Sequence, residues 1–211
     1  MNKKKILLVE CFAHFQNVKQ TFKFFSPKYK VKVLTLNKFS KNFGLSNNSI
    51  ISCKNYLTFY FKLYFYSYFY NYVYISTPPE YPDKIKSLRD LIIFIFHYLF
   101  FLFHILLHRG KSIFQLRSIH RYIPSCTVLR SDRSFLPYLR YYLIYLVGKI
   151  VLESNFLKRS FENKIKLKDK SISYIYIAHK NVNKIKEYNR KKNRIGVLGQ
   201  IDPIRKNYKL L

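Results

Sequence analysis

Short apolar runs alternate with longer, helix-like segments along almost the whole chain. Lys5–Glu10 (KILLVE), Val31–Leu36 (VKVLTL), Tyr72–Ser76 (YVYIS), Ile113–Ser118, Lys149–Ser154 (KIVLES) and Ile172–Ile177 (ISYIYI) are largely apolar yet short for helices, which is the character of strands buried on both faces. Ser49–Ser52 reads as a minor strand. Between these runs the pattern predicts a loop and helix start over 11–17, a helix over 18–25 ended by Ser26-Pro27, and a short one over 37–45, stopped near Gly44. Further helices are expected over 56–71, over 88–108 before Arg109-Gly110, over 137–147 before Gly148, and over 155–163 with Asn155 as cap. Alternation of this kind calls for an α/β fold, a parallel sheet with helices on both faces.

Composition adds one strong feature. The 211 residues carry 39 Lys+Arg against 10 Asp+Glu, a formal net charge of +29. Such a balance favours an anionic partner: nucleic acid, lipid headgroups or a phosphorylated small molecule. Lys, Asn, Ile, Phe and Tyr abound while Trp is absent, as AT-rich codons dictate, so charge alone does not select among these partners. The three cysteines, Cys11, Cys53 and Cys126, form no CxxC pair, which points to a reducing compartment and no structural zinc. The N-terminal apolar run meets Glu10 and has no small-residue cleavage site, so it reads as a first strand rather than a signal peptide.

Ligands of open α/β sheets bind beyond the carboxyl ends of the strands. The residues expected there are Glu10, Cys11 and His14; Thr77 to Glu80; His120, Arg121 and Tyr122; Asn155 and Lys158; His179 and Lys180; and Gln200, Asp202, Arg205 and Lys206. No GxGxxG, GxxxxGK[ST], HExxH or GxSxG motif occurs, which disfavours nicotinamide binding, a Walker loop, zinc proteolysis and Ser hydrolysis. The strongest local pattern is Gly199–Lys206 (GQIDPIRK): a glycine turn after a strand, then Arg205-Lys206 at a helix start. A helix N-terminus with two cations suits a diphosphate.

RIGVLGQIDPIRKNYKLL resembles the opening of the second domain of GT-B glycosyltransferases of family 4 type. The upstream order KILLVE, YVYIST with PPE, IFQLRSIHRY, KIVLESNFLKRSF and ISYIYIAHKN is similar to the strands of the Rossmann-like acceptor-side domain of that family. The resemblance implies transfer of a sugar from a nucleotide-sugar to a glycan or lipid-linked acceptor in surface polysaccharide synthesis, with no separate cofactor and no metal. Gly199, Gln200, Arg205 and Lys206 would meet the nucleotide-sugar, while His14, Glu80, His120 and Arg121 would lie on the acceptor side, with His120 and Glu80 as candidate bases. Many members have Arg where this chain has Gln200. It implies an acceptor-side domain over 1–180, a linker over 181–193, and the first strand and helix start of a truncated nucleotide-sugar-binding domain over 194–211. A lone strand and half a helix cannot bury their apolar faces. A separate C-terminal half is therefore an expected partner, and the chain alone is expected to be inactive.

Two other readings compete. Leu91–Leu107 is long enough to span a bilayer, which would make this a small basic membrane protein without catalysis. His97 and His104 lie seven apart on one face of that segment, which favours a crossover helix packed on the sheet, its other face resting on an anionic membrane. That places the protein in the cytoplasm, peripheral on the inner face of the membrane. The Tyr/Phe-rich stretch over 56–74 raises single-stranded nucleic acid as a partner, but its cations are few, and nucleic acid is disfavoured.

Overall fold

The computed structural model describes residues 3–11, 14–76, 86–116, 136–164 and 171–174, and in it each apolar run becomes a strand. The strands are β1 (Lys5–Glu10), β2 (Lys30–Leu36), β3 (Ile50–Cys53), β4 (Tyr72–Ile75), β5 (Ser112–Leu116), β6 (Lys149–Leu152) and β7 (Ser171–Tyr174). They build one sheet in the order β3-β2-β1-β4-β5-β6-β7, and every neighbouring pair is parallel. The fold is α/β, with a Rossmann-like sheet flanked by helices.

The helices are α1 (Phe15–Phe25), α2 (Asn37–Ser40), α3 (Tyr56–Phe69), α4 (Leu88–His108), α5 (Leu136–Leu146) and α6 (Asn155–Lys164). Chain direction decides which face each one covers. Strand order steps one way from β1 to β3 and the other way from β4 to β7, and right-handed crossovers put the helices of opposite steps on opposite faces. Leu7 and Val9 of β1, Val73 and Ile75 of β4 and Phe114 of β5 point toward α3, α4, α5 and α6. Their neighbours along the strands, Ile6, Leu8, Tyr74 and Val151, pack on the other face with Val18 and Phe22 of α1 and with Phe43. Each Phe or Leu fully removed from water here contributes about 1.5–3 kcal/mol.

The helix α4 shows how one element reconciles two surroundings. Its inner side places Phe94, Phe101 and Ile105 at 0% exposure, against the sheet and α3. On the same side, His97 Nδ1 and the Tyr60 hydroxyl share a hydrogen bond of 2.6 Å. Burial pushes the Tyr60 phenol well up, so it stays protonated, and holds His97 down to about 4. Ser112 donates to the His108 carbonyl at 2.9 Å and so accepts from His104 Nε2 at 3.2 Å. Burial, then the neighbouring His108, lowers His104 to about 3. Both histidines are neutral core groups. The outer side is different: Leu88, Ile92, Leu99, Phe103 and Leu106 are exposed.

Element limits differ from the sequence expectation by a residue or two in several places, and some of the differences have a local cause. The first helix starts at Phe15, inside the stretch 11–17 expected to hold its start, and His14 takes the cap position without a side-chain hydrogen bond to mark it. The helix predicted over 37–45 is a four-residue turn followed by a 3-10 turn at Lys41–Phe43, ended by Gly44 in the left-handed region at φ 57°. The third strand runs Ile50–Cys53 instead of Ser49–Ser52, since Asn47–Ser49 closes a 3-10 turn. The cap of α6 is Ser154, whose Oγ accepts from Leu157 N at 3.1 Å, and Asn155 is the first helical residue. The predicted linker over 181–193 and the segment 194–211 lie outside the described residues.

Candidate functional site

Strand order reverses between β1 and β4, so the crevice at their carboxyl ends is where an open α/β sheet takes a ligand. Glu10 ends β1 there, with Thr35 of β2 beside it in register. Ser76 follows β4 on the other side, its N–H donating to the Val9 carbonyl at 3.1 Å. The Ser76 hydroxyl donates to Glu10 Oε2 at 2.5 Å. Farther along, Gln115 Nε2 of β5 donates to Glu153 Oε1, just past β6, at 3.5 Å.

These five residues share one face, because side chains along a strand alternate. Glu10 falls with Ile6 and Leu8, Thr35 with Val31 and Val33, Ser76 with Tyr74, Gln115 with Ile113, and Glu153 with Val151. This is the face covered by α1. The sheet therefore ends, on one side only, in a row of hydroxyl, carboxylate, hydroxyl, amide and carboxylate. Glu10, Thr35, Ser76 and Gln115 are all buried. Thr35 Oγ1 and Gln115 Oε1 have no hydrogen-bond partner among the described residues. Buried polar atoms are nearly always paired, so two oxygens without a partner among the described residues set this row apart from an ordinary core.

His14 closes the crevice from the helix side. Its Nδ1 lies 3.7 Å from Glu10 Oε1, and its side chain is 41% exposed against 0% for the carboxylate. A buried carboxylate behind a half-exposed imidazole is an arrangement that orients a proton acceptor toward solvent.

Of the residues expected at the strand ends, the structure brings Glu10 and His14 together. Cys11 does not join them. It is one residue farther along and faces the opposite core, where burial, then the Glu10 charge, pushes its thiol well up. Lys158 pairs with Glu162 at 3.7 Å along its own helix. Glu80, His120, Arg121, Gly199, Gln200, Arg205 and Lys206 lie outside the described residues, as do Thr77, His179 and Lys180. Thr35, Ser76, Gln115 and Glu153 were not expected as site residues. The signal was present: a lone polar residue at an inward position of an otherwise apolar run, the Thr of VLTL and the Gln of IFQL.

A second concavity, of about 710 Å³, opens between the N-terminal ends of α3 and α4. Lys38 and Arg89 stand at it, with Leu57, Ile92 and Phe96 as apolar walls. Among the described residues no group of three or more His, Cys, Asp or Glu is placed to hold a metal ion. In comparisons with family models and with curated proteins, the chain matches none.

Proposed function

We propose that the chain is the acceptor-side lobe of a GT-B glycosyltransferase of family 4 type, acting on a nucleotide-sugar and a glycan or lipid-linked acceptor. The observation that carries this reading is the buried polar row at the reversal of strand order, with His14 standing beside its Glu10. A row of hydroxyl, amide and carboxylate groups suits a polyhydroxylated ligand, whose alcohols both donate and accept. The resemblance of RIGVLGQIDPIRK to the family's second-domain opening supplies the donor side.

In this reading an acceptor hydroxyl lies against the row, held by Ser76, Thr35 and Gln115. His14 takes its proton as it attacks the sugar carbon, and the Glu10 charge stabilises the imidazolium that forms. The leaving diphosphate takes the bond electrons, and Arg205 and Lys206 neutralise it, with Gly199 and Gln200 admitting the phosphates close to the backbone. Glu80, His120 and Arg121 complete the acceptor side in the resemblance. The family places most of the donor site in a second lobe.

The test is saturation-transfer NMR of the full chain with a panel of nucleotide-sugars, with and without oligosaccharide and polyprenyl-phosphate acceptors. Saturable binding of one acceptor, lost in Ser76→Ala/Gln115→Ala and kept in His14→Ala, is expected, together with weak donor binding that Arg205→Ala/Lys206→Ala abolishes. If neither a donor nor an acceptor binds saturably, the reading fails.

A further inference from the structure

All but Phe24 of the large apolar side chains exposed among the described residues lie on three adjacent helices, α3, α4 and α5. On α4 they recur at Leu88, Ile92, Ile95, Leu99, Phe103 and Leu106, three or four residues apart, which is one stripe along the outer side. On α3 the corresponding stripe is Leu57, Phe61, Phe65 and Tyr68, and on α5 it is Tyr138, Tyr142 and Tyr145. The helix α4 packs between α3 and α5, so the stripes adjoin. With 21 residues, α4 alone is about 31 Å long, and three helices at their usual spacing make a face far larger than the scattered patches of an ordinary monomer.

Charge chooses the occupant. The middle of this face is nearly free of it: Arg140 of α5 is buried, and Lys62 of α3 is tied to the Ser52 carbonyl at 2.9 Å. Cations collect at the ends instead. Lys54, Lys86 and Arg89 are exposed where α3 and α4 begin, and Arg109 where α4 stops. The acid Asp90 is tied to its own helix end, accepting from Lys86 N at 3.1 Å. A second copy of the chain would set these cation clusters against their equals in a protein of net charge +29. An anionic bilayer accepts both parts, the rings in its interface and the ammonium and guanidinium groups at its phosphates.

We propose that the outer face of α3, α4 and α5 lies in the plane of an anionic membrane surface, with α4 parallel to it. A transverse α4 is ruled out by its inner side, where Phe94, Phe101 and Ile105 are fully covered by the rest of the core. The cavity between Lys38 and Arg89 opens beside Leu57 and Ile92 of the face and admits one phosphate headgroup at its edge. The proposal stands on the surface alone and does not depend on the catalytic reading.

The experiment is sedimentation of the full chain with phosphatidylcholine vesicles that contain or lack phosphatidylglycerol, at low and high sodium chloride. Binding to the anionic vesicles, release by salt, and at least about tenfold weaker partitioning onto neutral ones are expected. Phe61→Ser/Phe103→Ser should weaken partitioning about tenfold or more, while Phe24→Ser on the opposite face leaves it unchanged. Should the double Phe variant fail to fold, as judged by circular dichroism, Lys86→Glu/Arg89→Glu carries the test and must lose the preference for anionic lipid. Four outcomes overturn the proposal: no binding to anionic vesicles; partitioning of the folded variants equal to that of the parent; protein that resists carbonate extraction, as a spanning helix does; or a dimer that Phe61→Ser/Phe103→Ser dissociates in protein that ignores vesicles.

Discussion

His97 and His104 tie stability to pH with a definite sign. An imidazole in the unfolded chain titrates near 6.5, whereas burial holds His97 down to about 4 and His104 to about 3 in the fold. Folded values below unfolded ones mean that protons bind preferentially to the unfolded state. The stabilisation is therefore complete above pH 6.5 and is lost as pH falls from there toward the folded values, by up to about 1.4 kcal/mol per pH unit for each histidine. Urea midpoints measured from pH 7 to 4.5 should fall steadily. The variant His97→Gln/His104→Gln, less stable at pH 7, should show a shallower acid slope. An unchanged slope would place the acid sensitivity elsewhere. The carboxylate of Glu10 is a different case: it is fully buried yet hydrogen-bonded by Ser76, a partner hidden in the sequence because Ser76 reads there as the last residue of a strand.

At the scale of elements, the apolar runs and the helix stops were legible, and the caps were only partly so. The limits of α4 coincide with the run from Leu88 to His108 because Ser87 caps one end and Arg109-Gly110 breaks the other. The start of α1 was legible only to within 11–17, since its first turn is held by packing of Phe15 and Val18 and not by a cap residue. Asn55 is a cap that can be weighed directly. Its Oδ1 accepts from Thr58 N at 2.9 Å and from Thr58 Oγ1 at 2.8 Å. Asn55→Ala should cost about 1 kcal/mol, read as a lower thermal midpoint, whereas Asn55→Ser should recover most of it. Equal losses in the two variants would mean that the cap carries no stability. Length and apolarity alone left α4 open to a transmembrane assignment. The burial of Phe94, Phe101 and Ile105 and the pairing of its histidines with Tyr60 and Ser112 show that one side belongs to a protein core.

For the whole molecule, alternation of short and long segments was enough to specify a parallel sheet, because parallel strands need crossovers and crossovers of this length are helices. The polar row was harder to foresee. Its members come from five separate runs, and only the register of β1 with β2 and β4 brings Thr35, Glu10 and Ser76 side by side. The same register predicts a gradient of stability. β1 is paired on both sides, with Leu7 and Leu8 at 0% and 1% exposure, whereas β3 ends the sheet. Amides of Leu7 and Leu8 should exchange with deuterium at least about a hundredfold more slowly than those of β3. Comparable rates in the two strands would contradict the central placement of β1.

The reversal of strand order has a last consequence. Because α1 and the polar row lie on one side of the sheet, and the three helices with bare aromatic flanks lie on the other, the strands act as a partition. Whatever presses on those flanks cannot block the crevice above Glu10 and His14. The two sides can be loaded separately or together, and a change on one reaches the other only through the backbone of the strands between them.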